Sequence, residues 1–103
     1  MAGLRYDLHR EGSEVRLSLE GELDMAVASE LRQLLHDQLG DPPTEVVVDL
    51  AKVSFVDSSI LATLIEAYKL LSTKNSRLRV TNSQPAVRDA FQLARVAAIL
   101  GVE

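Results

Sequence analysis

Residues 46–61 read VVVDLAKVSFVDSSIL, and the fold follows from this run. It opens with three consecutive valines, a pattern typical of a strand that is buried on both faces in the middle of a sheet. Residues 51–56 break this apolar run and are predicted to form a loop. Asp57 and Ser58 then precede a broad apolar stripe at helical spacing, so we expect a helix to begin there.

Upstream of this stretch, two short runs alternate apolar and polar residues, which predicts two half-buried strands. We expect them to pair antiparallel at a sheet edge around a turn at residues 11–13, with Gly21 ending the second strand. Asp24 is expected to cap a first helix that closes at Gly40, ahead of two prolines. The alternating apolar residues are Leu4, Tyr6 and Leu8 in the first run and Val15, Leu17 and Leu19 in the second.

Downstream, residues 72–76 are polar and predict a loop, after which Leu78 and Val80 indicate a short strand. Ser83 is expected to cap a third helix, with residues 93–100 contributing apolar cover. The predicted order is therefore β, β, α, β, α, β, α. Because strands alternate with helices in the later part, we expect an α/β fold: one mixed sheet of about four strands with helices packed mainly on one face.

Composition favours one globular domain spanning residues 1–103, with 47% hydrophobic and 25% charged residues. The sequence has no cysteine, which excludes disulfides, thiolate metal sites and a cysteine nucleophile. Its two imidazoles, His9 and His36, fall in different segments. We therefore expect neither a metal site nor a cofactor.

Charge and hydropathy point to protein partners in the cytoplasm. The net charge is −4 and the lysines and arginines are scattered singly, so the basic stripe of a nucleic-acid-binding protein is missing. The first ten residues lack the apolar core of a signal peptide, and no stretch approaches the ~20 apolar residues that span a bilayer. We expect no direct contact with nucleic acid or membrane.

The candidate site is the run Asp57, Ser58 and Ser59, where a loop is predicted to turn into a helix. All three are favourable helix-start residues, and capping alone explains one of them. At least one hydroxyl is then expected to face solvent at the positive end of the helix dipole. A phosphate at that position would be stabilised by the dipole and by free backbone N–H groups.

Three catalytic or nucleotide-binding alternatives fit the sequence less well. A hydrolase using Ser58, His36 and Asp57 needs the imidazole beside the serine, and the sequence has no G-x-S-x-G turn. A phospho-aspartate receiver needs an acidic pair after its first strand, whereas Asp49 stands alone and is interpreted as a strand-end residue. No G-x-x-x-x-G-K-[ST] run supports nucleotide binding. We therefore do not expect an enzyme.

Two blocks of the sequence resemble a known family. One is LEGELD at residues 19–24, and the other runs from VDL at residues 48–50 to FVDSS at residues 55–59. They are similar to the G-E-L-D opening of the first helix and to the D-L-x-x-V-x-F-x-D-S-[ST]-G-L signature of STAS domains, named for sulfate transporters and anti-sigma factor antagonists. The order of elements and the length agree, and the resemblance is closest to the bacterial anti-sigma factor antagonists.

This resemblance implies a partner-switching role in the transcriptional stress response of a bacterium. The unmodified antagonist binds an anti-sigma factor that is also a serine kinase, and so frees the sigma factor. The kinase phosphorylates the serine after the aspartate, here Ser58, and a serine phosphatase of the metal-dependent class resets it. The partner-binding residues that the resemblance implies are Asp24, Asp57, Ser58, Ser59 and Ile60.

The sequence departs from the family pattern at Ile60, where the signature has glycine, and has Ala62 where a small residue follows the leucine. An isoleucine adds a stiff branched side chain at a position expected on the partner surface. A second function within the resemblance is therefore left open: an accessory subunit that binds a transporter ATPase without a phosphorylation cycle.

Overall fold

The computed structural model describes residues 3–102, which form one four-stranded sheet in the order β1-β2-β3-β4. Strands β1 and β2 form an antiparallel hairpin, whereas β3 runs parallel to both β2 and β4. The mixed four-stranded sheet predicted from the sequence is confirmed. The elements in chain order are β1 (Arg5–Glu11), β2 (Glu14–Leu23), α1 (Met25–Asp37), β3 (Glu45–Val56), α2 (Ser58–Ser72), β4 (Arg77–Thr81), α3 (Pro85–Leu93) and α4 (Ala97–Leu100).

One hydrophobic core lies between the sheet and the helices. Val46 and Val48 of the central strand β3 belong to this core, together with Leu31 of α1 and Ile60 of α2. Helices α1 and α2 therefore pack on the same face of the sheet, as expected. Val47 points to the opposite face and is nevertheless fully buried, since the register places an arginine beside it on each neighbouring strand.

Strand β3 extends through Val56, so the loop predicted for residues 51–56 is wrong. The pairing of β3 with β2 shifts register twice, and each shift leaves one extra residue in β3. Such bulges break the period-two alternation of apolar residues, which is why this part of the strand looks irregular in the sequence. The Asp49 carboxylate accepts a hydrogen bond from the Ala51 N–H at 2.9 Å at the first bulge, so Asp49 lies inside the strand and not at its end.

Gly21 does not end β2, which continues to Leu23. The backbone φ of Gly21 is +99°, a conformation that residues other than glycine rarely adopt. Gly21 lies where the β2–β3 register changes, so it lets β2 follow the irregular partner strand instead of leaving it. As a result β2 and β3 end together, at Leu23 and Val56, on one edge of the sheet.

The boundaries of the remaining helices differ from the sequence prediction. Helix α1 ends at Asp37, before the expected Gly40. Gln84 occupies the N-cap of α3 without a side-chain hydrogen bond, so the prediction that Ser83 caps this helix is wrong. The predicted third helix is also two helices, because Arg95 adopts a positive φ of 61° between α3 and α4.

Four apolar residues expected to be covered are not. Leu93, at the end of α3, is 85% exposed and Ile99 of α4 is 49% exposed, while Tyr6 and Leu8 of the edge strand are 49% and 40% exposed. β1 is an edge strand, and all seven of its residues are exposed. The period-two pattern of β1 therefore identified the correct strand but overstated its burial.

Within the described part of the chain, no helix is both long and apolar enough to cross a membrane.

The core predicts a large difference between two truncations of apolar side chains. Ile60→Ala should lower the free energy of unfolding by about 2–5 kcal/mol, because the Ile60 side chain has no exposed surface and its loss leaves a cavity. Leu93→Ala removes a similar volume from an exposed site and should change stability by less than about 0.5 kcal/mol. Denaturant unfolding measures both. Equal effects of the two substitutions would contradict this placement of the core.

Candidate functional site

The candidate site is the edge of the sheet at which α1 and α2 begin. Because β2 and β3 are parallel neighbours and end together, the residues that follow them, Asp24 and Asp57, lie at the same edge. Both aspartates occupy N-cap positions, as the sequence predicts. The Asp24 carboxylate accepts a hydrogen bond from the Ala26 N–H at 3.0 Å.

The Asp57 carboxylate joins the two helix starts. Its Oδ1 accepts hydrogen bonds from the backbone N–H groups of Ser59 at 3.0 Å and Ile60 at 3.2 Å, which caps α2. Its Oδ2 accepts from the N–H of Met25 at 3.0 Å, the first residue of α1. A backbone bond from the Asp57 N–H to the Leu23 carbonyl also joins the two segments. One side chain thus satisfies donors from both helices.

These contacts favour the ionised carboxylate. The Ser59 hydroxyl, and then the backbone N–H groups of Ile60, Ser59 and Met25, lower the pKa of Asp57, against a partial loss of hydration that raises it. Since the folded-state pKa lies below the unfolded one, this carboxylate contributes stability above the usual titration range of aspartate. The contribution is lost as the pH falls through the lowered folded-state pKa.

The two serines of the motif have different environments. The Ser59 hydroxyl donates to Asp57 Oδ1 at 2.5 Å, and its residue is partly buried. Ser58 is exposed, and its hydroxyl makes no hydrogen bond to any other described residue. The hydroxyl that faces solvent is therefore that of Ser58.

Two backbone donors of this helix start are already in use. The sequence predicts free N–H groups that would receive a phosphate on Ser58. Instead, those of Ser59 and Ile60 bond to the Asp57 carboxylate. A phosphate at Ser58 would still lie at the positive end of the α2 dipole, but beside an ionised carboxylate.

Ile60 is fully buried in the core, so the expectation that its side chain lies on the partner surface is wrong. The reason is its position in the first turn of α2, on the face that packs against the sheet. Of the five predicted partner-binding residues, Asp24 and Ser58 are exposed, while Asp57 and Ser59 are partly exposed.

The hydrolase arrangement does not form. His36 lies in the last turn of α1, about eleven residues and hence roughly 16 Å along the helix from the shared helix starts. Its Nε2 is 2.9 Å from Oε1 of Glu66 in α2, an atom that also accepts from Arg32 Nε at 2.7 Å. These two hydrogen bonds lower the pKa of Glu66, and the one with His36 has the larger effect. They hold α1 beside α2 and leave Ser58 without an imidazole neighbour.

Two exposed apolar side chains near the site were not singled out from the sequence. Met25, whose N–H bonds to Asp57, is 76% exposed, and Phe55, two residues before Asp57, is 48% exposed. The signal for Met25 is its place directly after the Asp24 cap, where the first helical residue projects from the sheet edge. The sequence predicts a loop at Phe55 because the second bulge interrupts the alternation that marks its strand.

Among residues 3–102, the structure contains no group of three or more histidine, aspartate or glutamate side chains that could hold a metal ion.

Comparison with known proteins matches residues 6–101 to the family described as "Mlab, STAS domain". A STAS-domain containing protein of Pseudomonas aeruginosa is 26% identical over 84 residues, which is 82% of each chain. An anti-sigma factor antagonist from Mycobacterium paratuberculosis superimposes with a TM-score of 0.86 at 26% identity, over 96% of this chain and 84% of the other. The anti-sigma factor antagonist SpoIIAA of Bacillus, in its unphosphorylated form, gives 0.73 at 23% identity over 86% and 83% of the two chains, which supports the shared fold.

The unequal roles of the two serines predict unequal effects on Asp57. Ser59→Ala removes the hydroxyl that contributes most to the lowered pKa of Asp57, so this pKa should rise towards its ordinary value. Ser58→Ala is the matched control and should leave the titration of Asp57 unchanged, because the Ser58 hydroxyl does not bond to the carboxylate. Carbon NMR of the aspartate carboxyl groups follows both. The same titration curve in the two variants would contradict the assigned hydrogen bond.

Proposed function

Because this chain belongs to the STAS-domain family, we propose that it is an anti-sigma factor antagonist switched by phosphorylation at Ser58. Unphosphorylated, it binds an anti-sigma factor that is also a serine kinase, and a sigma factor is freed. Phosphorylation by that kinase releases the antagonist, and a serine phosphatase of the metal-dependent class restores it. The protein acts by binding and not by catalysis.

The observation that carries this proposal is the difference between adjacent hydroxyls. Ser58 presents its hydroxyl to solvent, whereas the Ser59 hydroxyl is held by Asp57. A kinase can phosphorylate only a hydroxyl that fits into the active site of the kinase. The Ser58 hydroxyl can do so without breaking an intramolecular contact. The relatives agree with such a cycle, since SpoIIAA is known in both unphosphorylated and phosphorylated forms.

The surface around Ser58 suits a partner that approaches a neutral hydroxyl. Exposed Met25 and Phe55 offer apolar contact area at this edge, and Asp24 and Asp57 add negative charge. We propose these residues, together with Ser58 and partly exposed Ser59, as the partner-binding surface. Ile60 contributes by packing the start of α2 against the core, not by touching the partner.

Phosphorylation would oppose binding through charge. Phosphoserine carries about −1.5 to −2 charges at pH 7, here directly beside Asp57 and on a chain whose net charge is already −4. Within the chain, the α2 dipole stabilises the phosphate charge by roughly 0.3–1 kcal/mol. A partner surface shaped for a neutral hydroxyl has no such compensation, so burial of the unpaired charge would disfavour the complex.

The proposal predicts where the phosphate is attached and what it changes. Incubation with the anti-sigma factor kinase and ATP should modify Ser58, as mapped by mass spectrometry. Phosphorylation should weaken binding at least about tenfold, or about 1.4 kcal/mol, without unfolding the protein. Ser58→Ala should bind persistently and resist modification, while Ser58→Asp should fold normally and bind poorly.

Ser59→Ala is the matched control, because it removes the neighbouring hydroxyl and leaves Ser58 available for phosphorylation. Phosphate found on another residue, or equal affinities of the modified and unmodified protein, would contradict the switch. Capture of a transporter ATPase without any phosphorylation would instead support the accessory-subunit function.

A further inference from the structure

We propose that two copies of this chain associate through the open edge of β1, which extends the four-stranded sheet into a continuous eight-stranded sheet. The inference does not depend on the proposed function, since it concerns a strand with no part in the Ser58 site. It rests on three features of β1: its uncovered edge, its exposed apolar side chains and the order of its charges.

The two edges of the sheet differ in how they are protected. At the β4 edge, α4 packs beside the strand, and a methyl group added at Gly101 would lie 3.3 Å from Cγ of Arg79. β1 forms the other edge and its seven residues are all exposed. It pairs with β2 without a bulge and contains neither proline nor lysine, so of the usual features that prevent edge-to-edge pairing it has only charged side chains.

The backbone of β1 is aligned for such pairing. The ladder runs to the Glu11–Glu14 pair that flanks the two-residue turn, and this pair of a two-residue hairpin is hydrogen-bonded. Alternate residues then direct their N–H and C=O groups away from β2, towards the open edge. These residues are Tyr6, Leu8 and Arg10. Pairing with a second β1 would satisfy all three.

The charges of β1 form a complementary pattern around Leu8. When a second copy is laid antiparallel with Leu8 opposite Leu8, Arg5 faces Glu11 and Asp7 faces His9, each twice by symmetry. All four lie on the sheet face that carries no core. The two Arg5–Glu11 pairs place opposite charges directly across the antiparallel pair, which is stabilising, so this register is favoured.

The neighbouring registers are disfavoured by the same charges. A dyad at Asp7 places the two Asp7 carboxylates opposite one another. A dyad at His9 places Asp7 opposite Glu11 and the two imidazoles together. Like charges directly across are destabilising. Among the hydrogen-bonded antiparallel registers that pair at least five residues of each β1, only the one centred on Leu8 therefore places opposite charges across the pair without like charges, which is the reason for inferring a second copy of this chain and not an unrelated strand.

The helix-bearing face of the sheet offers apolar contact in the same register. Tyr6 and Leu8 are exposed there, and Tyr6 lines a shallow groove with Glu30, Gln33 and Leu34 of α1. In the symmetric pair Leu8 packs on Leu8, and Tyr6 faces Arg10, which provides a cation–π contact. A seven-residue strand is about 23 Å long, so the interface is small and the association should depend on concentration.

Analytical ultracentrifugation of charge variants tests this register. The wild-type mass should rise from 11.3 kDa towards twice that value as concentration increases. Arg5→Glu and Glu11→Arg should each weaken self-association at least about tenfold, because each places like charges opposite one another. An equimolar mixture of the two variants should associate as well as the wild type, since the two introduced side chains then face each other as an opposite-charge pair and each retained charge keeps its partner.

Two controls separate loss of the interface from loss of the fold. Asp89→Arg makes a similar charge reversal at an exposed position in α3 and should dimerise like the wild type. Glu11→Arg replaces one of two facing glutamates in the hairpin, so it should raise the melting temperature of the monomer while weakening the dimer. A wild type that stays at 11.3 kDa up to millimolar concentration, or a mixture that fails to restore association, would overturn the proposal.

Discussion

The position of the site depends on the carboxylate of Asp57. One oxygen caps α2 through the N–H groups of Ser59 and Ile60, and the other accepts the first N–H of α1, that of Met25. Helix starts leave donors unsatisfied, and two starts side by side would double that cost. A single ionised group at their junction satisfies donors of both helices, and Asp24 satisfies one more at the start of α1. The contacts of Asp57 contribute to its lowered pKa.

The bulges of β3 bring Asp57 to this junction. Each extra residue in β3 lets it stay paired with β2 up to Val56, opposite Leu23, so that the two strands release their helices at one edge. The Asp57 carboxylate then accepts a hydrogen bond from the Ser59 hydroxyl, whereas the Ser58 hydroxyl stays exposed. The same capping interaction therefore stabilises the fold and distinguishes the two serines of the motif.

Local pattern predicted the central strand, the helix starts at Asp24 and Asp57 and the order of the elements down to the short β4. Prediction failed where the backbone departs from regular geometry, because bulges erase the alternation that marks a strand and the positive φ of Arg95 divides one apolar stripe into two helices. The three polar residues at 57–59 indicate a helix start, but they do not indicate which serine hydroxyl bonds to the aspartate. To predict that Ile60 is buried, one must know how α2 is rotated about its axis relative to the sheet. The hydrogen bond from Met25 to Asp57 joins residues 32 positions apart, so no local pattern indicates it.

Amide hydrogen exchange in Asp57→Ala, followed residue by residue by NMR, tests most directly the claim that one carboxylate supports both helices. If it does, the N–H groups of Met25, Ser59 and Ile60 all exchange faster than in the wild type, while amides in the middle of α1 and α2 are unaffected. Faster exchange at Ser59 and Ile60 with Met25 unchanged would show that the start of α1 does not depend on Asp57, and would contradict the claim.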